Sequence, residues 1–297
     1  MSSEAIGALR EAGRIAAAAR GAGARLIVAG ARVRDVCEAV EAEIRRRGGK
    51  NAFPAQCSRN DVAAHDCPSP DDERTYADGD LAKLDLGVHV DGWVVDTALT
   101  VSVGDRPEHR RLVDGAKAAL DAAIAVAGPG VPIARLSEAI ASTMSRFGVN
   151  PIRNLCGHHV GRWTVHCPPP VPNVPDDAGD RLSIGAVVAI EPFATDGRGV
   201  AAERGSPEVF RVAPGQEAGM PIDPGIGEAL RELRGLPFSR RDLGGFPRPL
   251  VEATLALLAQ RRRLAAYPPL VETTGGQVAQ VEHSLYVGPD GVEVLTR

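Results

Sequence analysis

The stretch KLDLGVHVDGWVVDTALTV, residues 83–101, decides the fold. It reads as two β-strands, Leu81–Val90 and Trp93–Val103, on either side of Asp91-Gly92. An Asp-Gly pair between apolar runs signals a two-residue hairpin turn, because both central residues must adopt positive φ. With that turn, Val90 opposes Trp93 and Gly87 opposes Asp96. Asp85 lies two residues along from Gly87 and shares its face. Asp85 and Asp96 therefore project to one side as diagonal neighbours, about 7–8 Å apart at Cα. Aspartate has poor strand propensity, yet these two sit among Leu, Val and Trp. Like charges held together raise each other's pKa unless something positive lies between them, and a divalent cation supplies that charge. The plainer reading is a pair of aspartates facing water on an exposed sheet surface.

Further acids and imidazoles favour the metal. Glu191 lies inside AVVAIEPF and Glu282 inside QVAQVEHSLYV, both read as buried-type strands. An acid in such a strand is more often partnered than solvated. His158 and His166 belong to CGHHVGRWTVH, and His65 to DVAAHDCP. Four carboxylates with one or two imidazoles can supply two divalent ions. An oxygen-rich set favours manganese, iron or cobalt over a thiolate zinc site. Two ions in one site generate a nucleophile from water at neutral pH and stabilise a tetrahedral oxyanion, which points to amide hydrolysis.

The surrounding chain supports an α+β fold built from two similar halves. VRDVCEAV, from Val33, recurs one hundred positions later as IARLSEAI, from Ile133, and the match runs on to Gly48 and Gly148. The apolar spacing is helical, with the glycines as C-terminal caps. An alanine-rich helix precedes each copy, near residues 4–28 and 108–127. Strands follow, including Ala186–Phe193 and Val278–Val287. Between 205 and 272 the composition shifts to Pro, Gly and Arg, with helical stretches at Ile226–Arg234 and Leu250–Ala265. The expectation is one catalytic domain over residues 1–297 carrying a helical insertion at 205–272.

The chain has 297 residues, 38 acidic against 34 basic, for a formal charge of −4. That balance gives no electrostatic footprint for nucleic acid or anionic membrane. The Arg45–Arg47 and Arg261–Arg263 runs read as solvated helix ends. No apolar run reaches the ~20 residues of a membrane span. The N-terminus lacks the pattern of a secretory signal. Five cysteines without framework spacing read as reduced thiols, so a cytoplasmic location is expected.

Taken together, the hairpin, GHHVGRWTVH, AIEPFATDG and AQVEHSLYV resemble the metal-binding strings of methionine aminopeptidases, within the pita-bread metallopeptidases that include prolidases. NAFPAQCSRNDVAAH (51–65) and LPFSRRDL (236–243) resemble the type II subfamily. The resemblance implies a pseudo-symmetric pita-bread fold with a curved antiparallel sheet. It implies two divalent ions: Asp85 and Asp96 on one, His158 and Glu191 on the other, with Asp96 and Glu282 bridging. The ions would be cobalt, manganese or iron, with zinc the further candidate. A hydroxide between them would attack the scissile carbonyl, with Glu191 as proton shuttle. His166 would polarise that carbonyl, His65 would contact substrate near the scissile amide, and Phe53 would line the methionine pocket.

The implied substrate is the N-terminus of a nascent polypeptide with a small second residue, handled by a monomer in transient contact with the ribosome. Departures from the family pattern occur at Cys57, Arg59, Cys156, Trp163 and Cys167-Pro168, all expected near the substrate pocket. The competing readings are an X-Pro-type peptidase of the same fold and a non-catalytic ribosome- or RNA-binding relative.

Overall fold

The computed structural model describes residues 1–297. Helix α1 (Ser3–Ala24) and helix α2 (Val33–Arg46) lead into strands β1 (Lys50–Arg59), β2 (Val62–Ala64), β3 (Leu81–Val90) and β4 (Trp93–Ser102). Ser2 caps α1 through its side chain, which accepts from the Ala5 N–H at 3.2 Å. The β3–β4 register is the expected one: Val90 faces Trp93, Gly87 faces Asp96 and Asp85 faces Ala98. Asp91 and Gly92 both carry positive φ, 51° and 85°, as the two-residue turn requires. The apolar faces of α1 and α2 bury Leu9, Ile15, Val36, Val40 and Ile44 against Leu84, Leu86 and Val88 of the hairpin.

The second half repeats the plan. Helices α3 (Pro107–Val126) and α4 (Ile133–Arg146) precede β5 (Asn150–Pro151), β6 (Cys156–Gly161), β7 (Thr164–Pro172), β8 (Val187–Ile190) and β9 (Phe193–Thr195). Helices α2 and α4 match in length and are offset by one hundred residues, and Gly48 and Gly148 both hold positive φ after them. The equivalent positions Val33/Ile133, Val36/Leu136, Val40/Ile140 and Ile44/Met144 are all buried. Strand length breaks the symmetry, since β5 has two residues where β1 has ten.

The chain then passes through β10 (Ala201–Glu203), β11 (Val209–Arg211), α5 (Pro224–Glu232), α6 (Arg248–Gln260), β12 (Ala265–Tyr267) and β13 (Leu270–Glu272). Between β10 and β13, residues such as Phe210, Ile226, Phe238, Leu243 and Leu258 form an apolar cluster of their own. The helices lie slightly earlier than expected. Asp223 caps α5, and α6 stops at Gln260, where Arg262 turns to positive φ and frees Ala265 for a strand. β13 returns to pair with β10 and β2.

The chain ends in β14 (Val278–Gln280), β15 (His283–Val287) and β16 (Val292–Val294). All ladders are antiparallel, the largest running β16-β15-β8-β6-β7. Two continuous strands expected from sequence are each broken. Ile190 pairs with His283, and the next ladder pairs Phe193 with Gln280, so 191–192 and 281–282 fall in a gap between them. Pro192 has no N–H to give to a ladder, and the Glu282 N–H donates instead to the Ala98 carbonyl on β4 at 3.0 Å. Glu191 and Glu282 are thus at strand breaks, not inside strands.

Candidate active site

Those breaks aim two glutamates at the face that carries Asp85 and Asp96. Segment 280–284 is stitched to β4 by side-chain bonds. Thr97 Oγ1 donates to the Glu282 carbonyl at 2.9 Å, and Thr100 Oγ1 donates to the Gln280 carbonyl at 2.7 Å. Ser284 completes the seam through Asp96. β6 places His158 beside both groups, its Nε2 being 3.6 Å from Asp96 Oδ2 and 3.7 Å from Glu191 Oε1. The other ring nitrogen, Nδ1, lies 3.1 Å from the His159 carbonyl, which suits an Nδ1–H donor and leaves Nε2 as the acceptor.

A ligand atom from each of Asp96, His158 and Glu282 falls within 4.8 Å of the others. Asp85 Oδ1, Asp96 Oδ1 and Glu282 Oε1 are buried without any hydrogen-bond donor. Three orphaned carboxylate oxygens would be costly without a cation, so the donor set fits divalent metal. Burial pushes the Asp96 carboxyl up to about 7 and holds those of Asp85, Glu191 and Glu282 well above the ordinary carboxylate range. Mutual repulsion adds to the rise at Asp85, Glu191 and Glu282. Desolvation likewise brings His65, His158 and His166 down to about 4, so each imidazole is neutral at pH 7.

A cleft of about 450 Å³ opens over this centre. Phe53, His65, Asp85, Asp96, His158, His166 and Glu191 all line it, while Glu282 lies beneath. The His166 ring stands edge-on to that of His158, centroids 4.5 Å apart. His65 holds a left-handed φ of 64° and packs edge-on to Tyr267 at 5.9 Å. Strained non-glycine backbone of this kind clusters where a side chain must be aimed. Phe53 lies over Gly87, where a Cβ would come within 2.3 Å of the phenyl ring.

Of the departures from the family pattern, Cys156, Cys167 and Pro168 line the cleft. Cys57, Arg59 and Trp163 do not. Cys57 alternates with Gln56 along β1 and points into the core, and Trp163 sits at the β6–β7 turn against Gly92. Several contributors escaped the sequence reading. Gln280 Nε2 donates to Glu191 Oε2 at 3.2 Å, and Gln56 and Tyr267 join the wall. Gln280 had a signal, an amide among apolar residues two positions before Glu282. Arg20, reaching from α1 to the Glu282 carbonyl at 3.4 Å, had none.

The fold and the cleft define a metallopeptidase: residues 7–231 match the model of metallopeptidase family M24, and the chain belongs to that family. Within the family it is 40% identical to the methionine aminopeptidase of Archaeoglobus fulgidus over 290 residues, 97% of each chain. The crystal structure of the Thermotoga maritima methionine aminopeptidase superposes with a TM-score of 0.74 at 22% identity, covering 100% of this chain and 98% of that one. A thermophilic Arx1 structure superposes at 0.87 and 14% identity, covering 99% and 91%. At those identities the two structures speak for the pita-bread fold alone. No helix is long and apolar enough to cross a membrane.

Proposed function

We propose that the protein removes N-terminal methionine from polypeptides whose second residue is small. The observation that carries this reading is the set of orphaned buried carboxylate oxygens beside a neutral His158 at the floor of a cleft. The methionine aminopeptidase relative, aligned over nearly its whole length, narrows the substrate.

Asp85, Asp96, His158, Glu191 and Glu282 would hold two divalent ions, with cobalt, manganese and iron the first candidates and zinc the next. Such ions, when bound, lower the pKa of water toward neutrality and act as Lewis acids on a carbonyl. The protein's own groups do the rest. Gln280 holds Glu191 by Oε2, leaving Oε1 to take a proton from the attacking water and return it to the leaving amine nitrogen. His166 donates a hydrogen bond to the carbonyl oxygen as it gains charge, and His65 orients the scissile amide. Phe53 gives the methionine side chain an apolar wall. Segment 205–272 is read as a type II insertion, with its own apolar cluster and with Val209, Pro237 and Tyr267 contributed to the cleft.

The test is hydrolysis of Met-Ala-Ser by protein supplied with each metal in turn. Release of methionine, lost in Glu191→Gln, is expected. Failure of every metal-supplied preparation to release it, or faster cleavage of an X-Pro dipeptide, would overturn the reading.

A further inference from the structure

A second concave region lies outside the catalytic cleft. Two adjoining hollows, of about 620 and 640 Å³, share Arg162, Trp163 and Arg234. They make a furrow from the amino end of α1, past the β6–β7 turn, to the 205–272 segment. Lys50, Arg162, Arg211 and Arg234 border it, and none of them forms an ion pair, whereas the fifth cation on the rim, Arg231, is held by Glu228.

The free arginines are fixed in place. The Arg162 guanidinium lies 5.7 Å over the Trp93 ring, and its Nε donates to the Asp91 carbonyl at 3.0 Å. Arg234 stacks on Trp163 at 4.8 Å, and Arg211 Nε donates to the Gly235 carbonyl at 2.8 Å. Trp163 is itself locked, with a φ of 60° and no room between its ring and Gly92. The terminal guanidinium nitrogens of all three meet no protein acceptor. Planar forks held this way are ready for bidentate carboxylates, and their ordering cost is already met by the fold.

The furrow begins where the cleft ends. On β7, His166 lines the cleft and Thr164 the furrow, about 7 Å apart along an extended strand. On β11, Val209 lines the cleft and Arg211 the furrow. An extended peptide with its first amide at His166 reaches the arginines from about its fourth residue.

We propose that this furrow receives the downstream part of the polypeptide substrate and selects acidic side chains there. The inference rests on the peptidase reading above. A nucleic-acid strand fits less well, because Glu4, Asp91 and Glu217 interrupt the furrow and would oppose an unbroken row of phosphates. Separate carboxylates can settle on the forks and avoid those acids.

The experiment compares Met-Ala-Ser, Met-Ala-Ser-Glu-Glu-Glu and Met-Ala-Ser-Lys-Lys-Lys as substrates of the metal-supplied protein. The wild type should show a KM about tenfold lower for the glutamate peptide than for the lysine peptide at low salt, as a few exposed pairs would give. Added salt should shrink that ratio. Arg162→Gln/Arg234→Gln should bring it to about twofold with kcat unchanged, and Arg162→Glu/Arg234→Glu should reverse it. Both variants should cleave the tripeptide, which ends short of the furrow, at the wild-type rate. Equal KM values for the two long peptides, or a preference that survives both variants, would overturn the inference while normal tripeptide cleavage left the peptidase reading standing. Arginine-dependent binding of a single-stranded oligonucleotide without acidic-peptide preference would overturn it in favour of nucleic acid. No cleavage of any peptide would defeat the peptidase reading and this inference together.

Discussion

Ser284 and Asp96 exchange two hydrogen bonds across the seam between the halves: the Asp96 N–H donates to Ser284 Oγ at 2.8 Å, and that hydroxyl donates to the Asp96 carbonyl at 2.9 Å. Ser284 is fully buried, so no water replaces it. Ser284→Ala leaves both backbone groups of Asp96 without this partner, at a cost of about 1–3 kcal/mol. It also loosens the residue that reaches both His158 and the proposed ions. Thermal unfolding should show the stability loss. Calorimetric metal titration should show affinity falling about 10- to 100-fold, the usual effect of losing a residue that orients a ligand. Unchanged metal affinity would show that Asp96 does not depend on Ser284 for its aim.

Gly87 makes room for Phe53. A Cβ at Gly87 would lie 2.3 Å from Phe53 Cε1 and 3.0 Å from the Ala52 Cβ, so Gly87→Ala must displace the ring. The displacement costs about 1–3 kcal/mol of overpacking. If Phe53 forms the methionine wall, KM for Met-Ala-Ser should rise several-fold, with a smaller change in kcat. Steady-state kinetics on the folded variant decide it. A variant with wild-type KM would remove Phe53 from the pocket.

What the sequence made legible was local in origin. The β3–β4 register followed from one turn dipeptide and a period of two, both contained within twenty residues. The α2/α4 repeat was visible because the same burial pattern recurs at a fixed offset. The breaks at Glu191-Pro192 and Val281-Glu282 were harder to read: Pro192 was a local sign of the first, but both runs are otherwise strand-like and the second break is set only by the ladders the two segments share. Arg20 and Tyr267 reach the site from far along the chain, where no local pattern marks them.

The 205–272 segment is anchored by a buried ion pair. Arg241 Nη2 lies 2.5 Å from Glu41 Oε1 on α2, both side chains are less than a tenth exposed, and Arg241 Nη1 also donates to the Pro68 carbonyl at 2.9 Å. Removing one partner strands a buried charge, typically at about 3–5 kcal/mol, whereas replacing both with apolar groups is far cheaper. Arg241→Met should therefore lower the unfolding midpoint more than Glu41→Leu/Arg241→Met does. The single variant should also raise KM, because Pro237 and Tyr267 of the same segment line the cleft. Denaturant unfolding of the two variants gives the comparison, and equal destabilisation would mean the pair contributes nothing beyond packing.

His89 carries a pH-dependent share of stability away from the catalytic centre. Burial brings its pKa down to about 4, and the nearby Lys50 ammonium adds to the fall while Asp91 opposes it. Its Nδ1 accepts the Gly92 N–H at 3.2 Å, and its ring stands edge-on to Trp163 at 4.9 Å. Glu4, Arg162 and Arg234 are the other charges bordering the same hollow. The folded pKa lies below the ordinary value near 6.5, so the unfolded chain takes up the proton first. Stability contributed by neutral His89 is complete above about pH 6.5 and falls as pH drops toward 4, by about 1.4 kcal/mol per pH unit for one proton. Other buried histidines add slopes of the same sign. His89→Gln should thus reduce the slope of unfolding free energy between pH 6.5 and 4 by one proton without abolishing it. Denaturant unfolding at half-unit pH steps measures this, and a slope equal to the wild type's would show that His89 is protonated alike in both states.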